Sequence, residues 1–152
     1  MSAVTGNAAQ VEVLDKVTGE VGEAFARLLP QLSSSAPPLD QAGLEDLVGC
    51  QANTVLIARS EGTITGMLTL VMFPLPTGLR AWIEDVVVDE SARGQGIGEL
   101  LTREALRRAR EAGARTVDLT SRPSRVAAGR LYERLGFTVR DSRLYRFAFT
   151  DG

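Results

Sequence analysis

At 152 residues, with 44% hydrophobic and 24% charged side chains, the chain has room for one globular core, and its longest apolar runs fall far below the roughly 20 residues of a membrane-spanning helix. It has no histidine and a single cysteine, Cys50, which excludes a Ser-His-Asp triad, a histidine base, a histidine-ligated metal, a cysteine metal cluster and an internal disulfide. The net charge of −2 is unevenly spread: residues 1–90 hold four basic side chains against twelve acids, and residues 91–152 hold thirteen arginines against seven. The basic half suits a polyanionic small molecule and the acidic half tolerates a cationic one, while the overall balance argues against non-specific nucleic-acid binding. Residues 1–10 lack a basic stretch followed by an apolar one, so no secretory leader is expected and the cytoplasm is the expected compartment.

Residues 11–14 alternate and predict a short first strand. Thr18 is placed to cap a helix carrying Val21, Phe25, Leu28 and Leu29, which Pro30 is expected to interrupt ahead of a Ser/Pro-rich loop at 33–38. Asp40 can cap a second short helix through Leu44, Leu47 and Val48. Cys50, with no histidine to activate it, reads as a small buried apolar residue. Strands are predicted at 54–58, 63–73 and 81–88, the first two joined by a Glu61-Gly62 hairpin turn.

The second half opens with a glycine-rich turn at 93–98 and a helix to about Ala112. Its apolar stripe is Ile97, Leu101, Ala105, Ala109 and Ala112, with Glu99/Arg103 and Glu104/Arg108 paired on the wet side and Gly113 at its end. Residues 116–120 predict a strand, and Ser124 is placed to cap a helix over 125–135 that Gly136 stops. Two further strands, 137–139 and 144–149, are expected to complete the sheet. The element order is β-α-α-β-β-β-α-β-α-β-β, an α/β mixed sheet in a single domain spanning 1–152.

The feature with chemical content is an apolar strand, then R-G-Q-G-I-G at 93–98, then a helix. A helix start presents unpaired N–H groups and partial positive charge, and glycines remove the Cβ atoms that would hold a phosphate away from them. Spacing excludes other glycine loops. A dinucleotide fingerprint would need glycine where Glu99 stands, and a P-loop would need Gly-Lys-Ser/Thr where Gly98 is followed by Glu99 and Leu100. A kinase glycine loop joins two strands and does not open a helix.

The pattern R-x-x-G-x-G after an apolar strand resembles the acetyl-CoA signature of Gcn5-related N-acetyltransferases. Residues 128–137, A-G-R-L-Y-E-R-L-G-F, resemble that family's second signature, A-x-x-L-Y-x-x-x-G-F, one helix and one strand further on. The resemblance covers about residues 54–149. It implies an α/β (α+β) acyl-CoA N-acyltransferase fold: a mixed, mostly antiparallel sheet of six to seven strands, flanked by about four helices and splayed between strands 4 and 5.

It also implies roles for individual residues. Amides of Gln95, Gly96, Gly98 and Glu99, in a cradle with Gly94 and Ile97, would hold the coenzyme pyrophosphate, with Arg93 adding charge. The edge of Val86, Val87 and Val88 would pair with the pantetheine arm, and the N–H near Val87 would stabilise the oxyanion. Tyr132 would protonate the departing thiolate, against the alternative that its ring fills core space. Glu84 and Asp85 are the general-base candidates, with Glu84 favoured; as neighbours in a strand they should face opposite ways. The segment W-I-E-D-V-V-V at 82–88 resembles the matching strand of glucosamine-phosphate acetyltransferases within the family, where such acids line the acceptor site. Arg125 stands where the second signature often begins with an asparagine that contacts the coenzyme, and either a phosphate contact or a plain surface position fits it.

The implied activity is acetyl transfer from acetyl-CoA, without metal, to a primary amine by direct attack in a ternary complex. The acceptor is expected to be a small cationic molecule, with a protein N-terminus as the other option. The competing readings are a catalytically silent acyl-CoA-binding module and a generic nucleotide-binding α/β domain. Dimerisation is common among the proteins it resembles, so a homodimer is compatible, and no segment specifies an interface.

Overall fold

The computed structural model describes residues 9–150, so the leader expectation, which rests mainly on residues 1–8, lies outside the described residues. The chain divides after Thr120 into two compact units.

The first unit is built on one five-stranded sheet, β1 (Gln10–Val13), β2 (Asn53–Ser60), β3 (Thr63–Leu75), β4 (Gly78–Val88) and β5 (Val117–Asp118), in that spatial order. β1 to β4 are antiparallel neighbours, and β5 alone runs parallel to β4, so the sheet is mixed and mostly antiparallel as expected. The β2–β3 hairpin turns at Glu61 and Gly62, both at positive φ (51° and 81°), which matches the right-handed strand twist.

Two helices precede β2. In α1 (Gly19–Leu32) the Thr18 hydroxyl accepts the Val21 N–H at 3.4 Å, and in α2 (Gln41–Gly49) the Asp40 carboxylate accepts the Gly43 N–H at 2.8 Å, so both predicted caps form. Pro30 does not interrupt α1. Lying in the last turn it removes only one donor from the ladder, and the Ser33 N–H still reaches the Leu29 carbonyl at 2.9 Å. Val21, Ala24, Phe25 and Leu28 of α1 and Leu44 of α2 pack with Val55, Ile57, Ile64, Met67 and Val87 in one core cluster.

The other sheet face takes α3 (Ile97–Ala112), whose Ile97 and Leu101 lie against Gly66 of β3. Ile97, Leu101, Ala105 and Ala109 are buried, whereas Ala112, at the helix end, is exposed and drops out of the expected stripe. The pairs Glu99–Arg103 (3.5 Å) and Glu104–Arg108 (2.9 Å) both form.

The second unit contains α4 (Val126–Arg134). Its N-cap is Arg125, with no side-chain cap bond, rather than Ser124. The chain enters through a turn in which the Arg125 N–H bonds the Arg122 carbonyl at 2.9 Å, which leaves Ser124 one position short of the capping place. The exit is a Schellman motif. The Gly136 N–H bonds the Glu133 carbonyl (3.0 Å), the Phe137 N–H bonds the Tyr132 carbonyl (2.9 Å), and Gly136 sits at φ 101°.

The predicted strands at 137–139 and 144–149 do not form, so the sheet has five strands and not six to seven. Their alternation is real, yet a strand exists only where a neighbour supplies a ladder, and Val139, Tyr145, Phe147 and Phe149 are instead exposed. Among the described residues no helix is long and apolar enough to cross a membrane.

Candidate active site

β4 carries the predicted site residues Glu84, Asp85, Val86, Val87 and Val88. Opposite β3, Glu84 pairs with Thr69 and Val87 pairs with Met67, so Asp85 and Val86 together stand against the single residue Leu68. This is a β-bulge, and Asp85 takes the left-handed conformation it requires, at φ 52°. The extra residue shifts the alternation of the residues that follow Asp85. Both carboxylates are exposed, Glu84 falls on the face of Thr69, Met67 and Val87, and Asp85 occupies the bulge itself. Val87 is buried in the core cluster behind it.

On its other side β4 pairs with β5 only at Ala81 and Trp82. From Ile83 onward β4 has no strand partner on that side among the described residues, and its unpaired stretch contains Val86, Val87 and Val88.

Past β4 the chain makes a 3₁₀ turn (Glu90–Ala92) and then the glycine turn that opens α3. Arg93 is exposed, and its Nε donates to the Val88 carbonyl at 3.4 Å. Gly94 and Gly96 sit at φ 81° and 78°, and a Cβ built on either meets nothing within 4 Å. Gly96 is the N-cap of α3 and brings no capping side chain, so the first-turn amides at Ile97 and Gly98 lie at an uncapped, electropositive helix end. A bare helix start beside empty space is a fit for a pyrophosphate. Among the described residues no group of three or more histidine, cysteine, aspartate or glutamate side chains could hold a metal ion.

In the second unit Tyr132 lies on α4 and is buried, 8% exposed, with its ring edge-on to Phe137 at a centroid separation of 5.6 Å. Burial pushes its phenol above the ordinary tyrosine value, and Arg125, at the start of the same helix, pulls weakly the other way. Arg125 is exposed.

Residues 23–137 match the profile of the Acetyltransferase (GNAT) family. The chain belongs to the GNAT family. As a GNAT protein it is an acetyl-CoA-dependent N-acetyltransferase. It is 29% identical over 135 residues to glucosamine 6-phosphate N-acetyltransferase 1 of Oryza sativa subsp. japonica, covering 82% of this chain and 79% of that one. It is 33% identical over 141 residues to mycothiol acetyltransferase of Thermomonospora curvata, covering 85% of this chain but only 46% of that longer protein. The crystal structure of a Trypanosoma brucei acetyltransferase superposes with a TM-score of 0.75 at 27% identity, over 93% of this chain and 99% of that one.

Two features of this GNAT chain escaped the sequence. Cys50 is the C-cap of α2 and is exposed, because the helix ends there and turns its side chain outward instead of burying it. Asp89 is 8% exposed, and its carboxylate binds Ser91 and Arg27; hydrogen bonding to the Ser91 amide, aided by Arg27, holds it below the usual carboxylate range. The only local hint was the short D-x-S spacing of a side-chain-capped turn.

Proposed function

We propose that the chain transfers the acetyl group of acetyl-CoA to the primary amine of a small cationic acceptor, by direct attack within a ternary complex. One observation carries the reading: a strand that loses its neighbour past Trp82 runs into an uncapped helix start lined by two glycines. The amides of Gln95, Gly96, Gly98 and Glu99, in the loop formed with Gly94 and Ile97, hold the pyrophosphate, and Arg93 adds positive charge. The edge at Val86, Val87 and Val88 takes the pantetheine arm as an added strand.

Glu84 accepts a proton from the acceptor ammonium, directly or through water. The freed nitrogen lone pair forms the C–N bond, and charge on the carbonyl oxygen is met by the Val87 N–H. The C–S bond then breaks, and Tyr132 protonates the thiolate. A second proton leaves the nitrogen as the amide forms and balances the one Tyr132 gave, so the net change is one proton released. The exposed acids Glu84 and Asp85 favour a cationic acceptor, and the relatives named for glucosamine 6-phosphate and mycothiol support a small molecule.

The test is a thiol-release assay with acetyl-CoA and a panel of amino sugars, polyamines, amino-acid derivatives and peptides. Release with a cationic small amine supports the reading. Tight coenzyme binding without release on any amine replaces it with a silent acyl-CoA-binding module, and release on peptides alone moves the acceptor class to proteins.

A further inference from the structure

The loop that carries the cradle is fastened to α1 at two points. Arg27 Nε donates to Asp89 Oδ2 at 2.9 Å, and a second nitrogen of the same guanidinium donates to the Ile64 carbonyl of β3 at 2.6 Å. One turn further along α1, Gln31 Oε1 accepts the Glu90 N–H at 2.9 Å, and Gln31 Nε2 donates back to the Arg27 carbonyl at 3.3 Å. The second oxygen of Asp89 accepts the Ser91 N–H and hydroxyl, both at 3.1 Å, while the Asp89 N–H bonds the Thr65 carbonyl at 2.7 Å. Asp89 is thus a node where a helix, a strand and the turn leading to Arg93 meet, and the glycine turn begins directly beyond it.

We infer that Arg27 and Asp89, seconded by Gln31, are positioning residues that set the place of the 93–98 cradle, so that coenzyme affinity depends on a helix lying on the opposite side of the sheet from α3. The inference rests on the reading of 93–98 as a pyrophosphate cradle. Amide donors at a helix start reward an anion only when they converge on it, and Gly94 and Gly96 add no side chain to hold the turn, which leaves Arg93 on the Val88 carbonyl and the buried Ile97 as its own anchors. Further anchorage on the β4 side of the turn comes from outside it. An Arg fork that joins a carboxylate of the loop to a carbonyl of the sheet supplies it with a rigid bidentate geometry.

The experiment measures CoA affinity by calorimetry, KM and kcat for acetyl-CoA, and melting temperature, for wild type, Arg27→Ala, Arg27→Lys, Gln31→Ala and Arg59→Ala. Arg59 ties α1 to the sheet elsewhere, through Glu20 and Glu12, and serves as the structural control. Arg27→Ala is expected to weaken CoA binding and raise KM for acetyl-CoA about tenfold, with kcat at saturation within about twofold, as loss of a charged hydrogen bond would do. Arg27→Lys should recover part of the loss, because an ammonium keeps the charge but cannot span both acceptors. Gln31→Ala should show a smaller effect of the same kind, and Arg59→Ala should lower the melting temperature with CoA affinity unchanged. Unchanged CoA affinity in Arg27→Ala, or an equal loss in Arg59→Ala, overturns the inference while leaving the cradle standing. A wild-type chain without CoA affinity removes the cradle and the positioning role with it.

Discussion

Glu84 and Val87 share one face of the sheet, although an uninterrupted strand would put residues three apart on opposite faces. The extra residue at the bulge restores the match, and Asp85 bears the left-handed backbone that this demands, at φ 52°. A non-glycine residue there carries strain of about 1–2 kcal/mol, eased for aspartate by its short polar side chain. Asp85→Gly should therefore melt at or above the wild-type temperature and keep kcat, which would also remove Asp85 from the list of bases. Asp85→Val, β-branched and ill suited to this region, should lower the melting temperature by several degrees and reduce kcat, because the strand gains by abandoning the bulge. Thermal melts and thiol release on the two variants decide it, and a Gly variant without activity would show that the carboxylate itself works.

Tyr132→Phe keeps the ring against Phe137 and removes only the hydroxyl. For a proton donor to the leaving thiolate, kcat should fall about 10- to 100-fold, with KM for acetyl-CoA little changed. The pH dependence of stability gives a separate readout. Burial raises the folded phenol above its unfolded value of about 10, so its contribution is fully present below pH 10 and is lost as pH rises through the folded value. Wild type should lose melting temperature above pH 10 more steeply than Tyr132→Phe. Parallel curves would mean that the phenol is not buried as described.

Gly96→Ala places a Cβ on a residue at φ 78°, in space that holds nothing within 4 Å. The backbone strain should cost about 1–2 kcal/mol and a few degrees of melting temperature. Gly113→Ala is the matched control, because Gly113 caps the other end of α3 at φ 92° with similarly empty surroundings. Both should melt lower by similar amounts, and only Gly96→Ala should weaken CoA. Equal CoA affinity in the two would mean that the helix start does not meet the coenzyme.

Much of the fold was legible because it is written in local chemistry. Thr18 and Asp40 announce helix starts by being short side-chain acceptors, and Glu61-Gly62 announces a turn by tolerance of positive φ. The five strands that form, the order of elements up to α4 and the glycine turn all follow from such cues. What stayed hidden depends on partners. Residues 137–149 alternate as a strand should, yet alternation says nothing about which edge would pair with them. The Arg27–Asp89 bond spans 62 positions, and neither residue looks unusual among its neighbours. The bulge was invisible because its αL residue is an aspartate in an otherwise regular β-pattern, where a glycine would have stood out.

The ending of α4 changes what a sequence match at 128–137 can certify. Gly136 is there because the chain must reverse through a left-handed residue, and Phe137 is there because its ring covers Tyr132 as the helix closes. Those two letters describe how a rod of backbone stops, and they would read the same in a chain whose phenol had been replaced by a plain ring. A descendant without the hydroxyl would thus keep the badge.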